Sequence, residues 1–236
     1  MALVDRELVD SRQKAQALIL AGKVTVDGQK SDKPGRQVTV ANYIRVEQPL
    51  RYVSRGGLKL ESALQRFNVE VAGRVCLDVG TSTGGFTDCL LQHGALRVHA
   101  VDTGAGQIDW RLRTDRRVIL HEKTNARYLA FDVIGEFADI IVCDVSFISV
   151  TLLVPPLVRM LAPGGDWIIL VKPQFEAGRE FVGKGGIVRD SVIQQAACEK
   201  VARMLEDMHF STAIADSPIA GAEGNREFLL HARQRS

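Results

Sequence analysis

Arg74-Val75-Cys76-Leu77-Asp78-Val79-Gly80-Thr81-Ser82-Thr83-Gly84-Gly85-Phe86 is the stretch that decides the fold. A short apolar run that ends in an acid and enters a glycine-rich turn reads as a buried parallel strand feeding a helix. Glycines let the turn take positive φ and let a ligand approach bare backbone, and the following helix offers unpaired N–H groups at the positive end of its dipole. Such a turn suits a nucleotide-like ligand. The dinucleotide fingerprint needs glycines two apart, whereas three residues separate Gly80 from Gly84, so an NAD enzyme is disfavoured. A second apolar run, Leu96 to Asp102, ends in an acid 24 positions after Asp78. Nucleotide-binding α/β folds keep a carboxylate there for ribose hydroxyls. A structural turn and a surface acid remain the plain alternative.

Working outward, strand and helix patterns alternate as a doubly wound sheet requires. Val118-Ile119-Leu120 predicts a third strand, followed by Glu122-Lys123-Thr124-Asn125, and Ala138 to Asp144 a fourth. A helix over Val150 to Leu161 then leads through Pro163-Gly164-Gly165 to a strand from Trp167 to Pro173. Asp102, Asp144 and Lys172 all fall at strand C-termini, where such sheets collect their functional residues. The glycine-rich loop Gln174 to Asp190 carries Arg179, Lys184 and Arg189 and reads either as a lid or as plain disorder. Val192 to Met208 has the apolar stripe of a core-facing helix. Strands at Ser211–Ile214 and Phe228–His231 enclose the turn Gly221-Ala222-Glu223-Gly224-Asn225-Arg226, which puts Glu227 at the start of the last strand. Upstream, Leu58 to Phe67 has helical spacing, and Lys59, near its polar edge, reads by itself as an ordinary surface lysine.

The chain has room for one sizeable α/β domain and a small appendage, with 236 residues, 46% apolar and 25% charged. No stretch resembles a signal peptide, and the longest apolar segment, Ala138 to Ala162, is interrupted by Asp139, Asp144, Pro155, Pro156 and Arg159. The expectation is a cytoplasmic protein without membrane association. Cys76, Cys89, Cys143 and Cys198 are scattered and read as reduced core residues, and the five histidines show no ligand or triad spacing. No metal is expected. The net charge of +2 conceals an asymmetry: residues 1–60 hold 11 Lys/Arg against 6 Asp/Glu, and the remainder 19 against 22. A basic N-terminal module points to capture of a polyanion, most simply nucleic acid.

Within that module Ser11 caps a helix from Arg12 to Ala21, Gly22 stops it, and Lys23-Val24-Thr25-Val26-Asp27-Gly28 alternates into an Asp-Gly hairpin turn. With the return strand Asn42 to Val46 this segment resembles the RNA-binding domain named after the fourth small-subunit ribosomal protein. The resemblance implies phosphate contacts by Arg12, Lys14, Lys23 and Lys30. Only Met1 to Val9 stand before it, shorter than the opening helix usual in that family. Glu47 to Arg55, before Gly56-Gly57, reads as a linker, giving a division into 1–47, 48–57 and 58–236.

Six phrases in order, Val53-Ser54-Arg55-Gly56-Gly57-Leu58-Lys59-Leu60, Asp78 to Phe86, Cys143 to Phe147, Val171-Lys172-Pro173-Gln174-Phe175-Glu176, Lys184 to Asp190 and Gly224-Asn225-Arg226-Glu227-Phe228, resemble the TlyA family over nearly the whole chain. These are haemolysin-named proteins with an FtsJ-like domain. The resemblance implies a Rossmann-like class I methyltransferase sheet behind a small N-terminal α+β RNA-binding domain, and S-adenosylmethionine-dependent 2′-O-methylation of cytidine in ribosomal RNA. It assigns the cofactor to Asp78, Gly80, Ser82, Thr83, Gly84, Gly85, Phe86, Asp102, Asn125 and Asp144, RNA contact to Arg55 as well, and a catalytic tetrad to Lys59, Asp144, Lys172 and Glu227.

A ribose hydroxyl is a weak nucleophile, so an enzyme must assist its deprotonation and hold it in line with the methyl donor. On that reading Lys172 serves as base or alkoxide stabiliser, Asp144 and Glu227 orient the lysines, and Lys59 holds ribose or phosphate. Two other classes compete. A membrane-lytic protein follows the family's historical name but lacks a spanning segment or a strongly basic amphipathic helix in this sequence. An inactive RNA-binding assembly factor on the same fold would not need the tetrad and cofactor loop.

Overall fold

The computed structural model describes residues 2–47, 50–221 and 224–235. It separates into two compact units, Met1–Leu50 and Arg51–Ser236. Gln48 and Pro49 of the expected linker, and Ala222 and Glu223 of the expected turn, lie outside the described residues.

The smaller unit carries helices Ala2–Asp5 and Arg12–Leu20 and a sheet of β1 (Val24–Val26), β2 (Gln29–Lys30) and β3 (Ile44–Val46) in the order β2-β1-β3. Ser11 Oγ accepts from Lys14 N at 3.2 Å and starts the second helix. Asp27 and Gly28 take φ of 51° and 79°, the paired left-handed conformation that a tight turn between twisted antiparallel strands needs. Asp27 also accepts from Tyr43 N at 2.7 Å and from Asn42 Nδ2 at 2.6 Å, fastening the turn to the chain entering β3. Leu3, Val9, Ala15, Ile19, Val24, Val26 and Ile44 form its core. The short opening helix therefore still contributes to packing through Leu3.

The larger unit is built on a seven-stranded sheet. Its strands are β4 (Val75–Val79), β5 (Arg97–Val101), β6 (Val118–His121), β7 (Ala138–Cys143), β8 (Leu161–Val171), β9 (Phe210–Asp216) and β10 (Phe228–Gln234), ordered β6-β5-β4-β7-β8-β10-β9. The first five run parallel, and β10 is antiparallel to both β8 and β9. Parallel strands covered on both faces can be largely apolar, as β4 and β7 are apart from Asp78 and Asp139. One face packs with helices Gly56–Phe67 and Gly85–Gln92 through Leu60, Leu64, Phe86 and Leu90, and the other with helix Ser191–Asp207 through Cys198, Val201 and Leu205. All four cysteines are buried and free.

Three expectations need correction. The linker does not extend to Gly57: Tyr52 is buried, and Gly56 and Gly57 form the first turn of the helix that carries Lys59. Gly57 is needed there because a Cβ would meet the Tyr52 side chain at 2.3 Å. The continuous helix over Val150–Leu161 is instead a 3-10 turn at Val150–Leu152, one α turn at Val154–Leu157 and another 3-10 turn at Val158–Met160. Pro155 and Pro156 have no N–H to donate back and cannot lie in a helix interior. Finally, Pro163-Gly164-Gly165 does not precede β8 but bulges out of it: Ala138 pairs with Leu161 and Ile140 with Asp166. Gly164 takes the φ of +73° that the bulge requires.

Candidate active site

The cleft lies at the C-terminal ends of the parallel strands, and the glycines of the β4 turn shape it. Gly80, at φ +86°, lets β4 and β7 close on each other, since a Cβ would sit 2.4 Å from Asp144 O. Ser82 takes a left-handed φ of 51° without being glycine, and its N–H donates to Asp102 Oδ2 at 2.7 Å. Gly104 N donates to Asp102 Oδ1, also at 2.7 Å. Two backbone donors thus fix the carboxylate, and each oxygen keeps lone-pair capacity for another partner. Asn125 Oδ1 accepts from Arg127 N at 3.0 Å and caps the turn after β6.

Asp102 and Asn125 line a cavity of about 490 Å³. Lys59, Asp144, Lys172 and Glu227 all line a second, of about 560 Å³, together with Arg55, Thr83, Gly85 and Phe86. Gly80, Ser82, Asp144, Ser146 and Phe147 border both, so the two adjoin across these residues. The four polar residues assigned by resemblance as a tetrad are therefore brought together.

They form two ion pairs. Lys59 Nζ lies 2.5 Å from Glu227 Oε2, joining side chains that are 11% and 3% exposed. Lys59 is thus not the surface lysine that its place in the helix suggests: the helix turns it under, toward the start of β10. Gly221 leaves room for its partner, because a Cβ there would fall 2.1 Å from Glu227 Oε1. Lys172 Nζ lies 2.6 Å from Asp144 Oδ1 and donates to Ser146 Oγ at 2.9 Å. Asp144 Oδ1 makes no aligned hydrogen bond of its own.

Two residues of the expected cofactor set support the cleft rather than border it. Asp78 is fully buried and lines neither cavity. Its Oδ2 accepts from Thr87 Oγ1 at 2.6 Å, its Oδ1 has no partner, and burial pushes the carboxyl up to about 7. Gly84, at φ +95°, is a packing glycine whose Cβ would strike Leu112 Cδ1 at 2.3 Å.

Sequence patterns alone did not single out Ser146, Phe147, Phe175 or Asn225. Phe147 is 92% exposed at a left-handed φ of 65°, with its ring centroid 5.3 Å from that of Phe175. An aromatic four residues past a strand's end was the available signal. Asn225 is buried and holds the glycine-rich loop, accepting from Val188 N at 3.2 Å and donating to Gly186 O at 2.9 Å. Gly183 and Ile187 form a bridge within that loop, and Gly186 lines the cleft. The loop is structured rather than disordered.

In the smaller unit Arg12, Lys14, Lys23 and Lys30 are exposed. Lys14 pairs with Asp10 at 3.1 Å and Lys23 with Glu47 at 2.9 Å, solvated contacts of little energetic weight. Among the described residues no His, Cys, Asp and Glu side chains cluster in a way that could hold a metal ion, and no helix is long and apolar enough to cross a membrane.

Comparison with known proteins agrees with this geometry. Residues 52–234 match the FtsJ-like methyltransferase family and residues 1–42 the S4 domain. The chain is 44% identical over 237 residues to the 16S/23S rRNA (cytidine-2′-O)-methyltransferase TlyA of Mycobacterium tuberculosis, covering 99% of this chain and 88% of that protein. It is 43% identical to Hemolysin A of Brachyspira hyodysenteriae, with 94% and 93% covered. A solved Streptococcus thermophilus protein carrying a haemolysin name superposes with a TM-score of 0.78 at 44% identity, covering 97% of this chain and 85% of that one. The chain belongs to the FtsJ-like methyltransferase family, among relatives that bear the TlyA and haemolysin names.

Proposed function

We propose that this protein transfers a methyl group from S-adenosylmethionine to the 2′-hydroxyl of a cytidine in ribosomal RNA. The observation that carries the reading is the convergence of Lys59, Asp144, Lys172 and Glu227 on one cavity that adjoins the cavity of Asp102 and Asn125. The activity printed for the Mycobacterium relative supports the same substrate.

The residues fit the cofactor. Asp102, held by two backbone N–H groups, would offer its remaining lone pairs to ribose hydroxyls, Asn125 would border the adenine, and the loop of Gly80, Gly85 and Phe86 would hold the cofactor with Ser82 and Thr83 near its methionine portion. When bound there, S-adenosylmethionine would supply an electrophilic methyl group on a cationic sulfur. Lys172 meets the ribose 2′-oxygen and stabilises the negative charge that develops as its proton passes to solvent. Asp144 balances and aims Lys172, and Glu227 does the same for Lys59, which holds the ribose or its phosphate. In a cleft of restricted solvent these fixed charges act more strongly than in water. Residues 1–47 supply phosphate contacts through Arg12, Lys14, Lys23 and Lys30, and residues 58–236 the chemistry, with Arg55 guiding RNA at the cleft mouth. Such a substrate implies action in the cytoplasm.

The test is incubation of the purified chain with methyl-labelled cofactor and ribosomal subunits, followed by digestion to nucleosides. The expected product is label on the ribose of cytidine. Label on a base, or none in RNA, would overturn the reading.

A further inference from the structure

Glu176 belongs to one of the quoted phrases yet has no part in the proposed chemistry. The ladder between β7 and β8 makes its last pair at Cys143–Ile169, one residue before Asp144 and three before Lys172. Beyond it Asp144 is tied to β4, its N–H donating to Val79 O at 3.0 Å, and Val171, just before Lys172, pairs with Phe228 of β10, but no ladder bond joins the two segments that follow them to each other.

Glu176 closes the helical turn Pro173–Glu176 that follows Lys172, and its carboxylate reaches across to the loop that follows Asp144. Ser149 Oγ donates to Oε2 at 2.5 Å and Val150 N to Oε1 at 2.7 Å. Lys200 Nζ, on helix Ser191–Asp207, donates to Glu176 O at 2.8 Å and anchors the turn from behind. The side chain is buried. Burial drives its carboxyl pKa up in spite of those donors. Apolar side chains would stabilise such packing at least as well as a buried acid. What only the carboxylate supplies is two directed bonds between the Lys172 loop and the Asp144 loop.

We infer that Glu176 is a positioning residue for methyl transfer, bracing the loop of Lys172 and Gln174 against the loop of Asp144 and Ser146 so that the Lys172–Asp144 pair keeps its geometry. The inference rests on the tetrad reading above.

It is tested on the full chain with Glu176→Ala, Glu176→Gln and Ser149→Ala, scoring kcat per cofactor-binding site, KM for ribosomal subunits and cofactor Kd. A misplacement of about 1 Å costs roughly 100-fold, so Glu176→Ala is expected to lose about that factor in kcat while KM and Kd stay within about 3-fold. Glu176→Gln keeps a carbonyl oxygen for Val150 N–H and should recover to within about 10-fold of the parent, and Ser149→Ala, losing one of the two bonds, should fall by about 10-fold. Should Glu176→Ala fail to fold, the other two variants decide. Unchanged kcat in the folded variants, or losses confined to KM and Kd, would overturn the role of Glu176 alone. A parent that methylates no ribosomal RNA would overturn the tetrad reading and this role together.

Discussion

The two ends of the larger sheet are built on different logic. At the parallel end, the side of the cleft proposed for the cofactor comes from one local phrase, the turn from Gly80 to Phe86, and an acid one strand later, held by backbone N–H groups. Toward the antiparallel end, Lys59 and Glu227 are 168 residues apart and meet in a nearly dry ion pair, while Lys172 pairs with Asp144 across the ends of the neighbouring parallel strands β8 and β7. A binding surface made of backbone needs mainly local conformation, whereas a charge constellation needs the finished fold. Changes at the two ends should therefore fail in different ways.

The largest effect is expected at the buried pair. Glu227→Ala strands Lys59 without its partner, which should cost about 3–5 kcal/mol in urea unfolding and abolish transfer. Loss of transfer at parental stability would mean that the pair is more solvated than the geometry indicates. Asp78 offers the contrast of a buried acid with no ion partner. Its carboxyl, raised to about 7 in the fold against 3.8 normally, favours the folded state below about pH 4, and that contribution disappears as pH rises through 7. Asp78→Asn should therefore gain on the parent by a few kcal/mol between pH 4 and 8, measured as the difference in unfolding free energy. A difference flat with pH would remove the raised ionisation from the account.

At the cofactor end, Asp102→Ala deletes a charged hydrogen-bond acceptor and should weaken cofactor binding by about 1.5–3 kcal/mol in calorimetry, with folding nearly unchanged. Undiminished affinity would dissociate Asp102 from the ribose. The smallest effect is expected from neutralising Arg12, Lys14 and Lys23 together. It should flatten the salt dependence of RNA binding and raise KM for subunits by several fold, leaving kcat alone, because these contacts serve ground and transition states alike. A triple variant with the parent's salt slope would shift recognition to the larger unit.

The contrast also governs what could be read from the sequence. Strand alternation, the glycine turn and Asp102 were legible because period-2 and apolar-run patterns and φ > 0 glycines are local properties. The segment Val150–Met160 breaks into short turns because Pro155 and Pro156 cannot continue a helix through it. The bulge at Pro163–Gly165 depends on strand pairing and has no signature of its own. Lys59 looked exposed because its burial depends on Glu227 from the far end of the chain, and the tetrad came only from family resemblance. Gly84 and Asp78 look like ligand contacts in the phrase, yet one accommodates Leu112 and the other binds Thr87 beneath the turn.

The division between binding and chemistry is tested most directly by Lys172→Ala, with cofactor affinity by calorimetry and methyl transfer to ribosomal subunits measured on the same preparation. Lys172 sits at a strand end, contacts Asp144 and Ser146, and lines the cavity of Lys59 and Glu227 but not that of Asp102 and Asn125. Cofactor Kd is expected to stay within about 3-fold of the parent while kcat falls by at least about 1000-fold, the loss of a group acting on charge developed in the transition state. Near-parental turnover, or turnover and cofactor affinity lost in equal measure, would contradict the account.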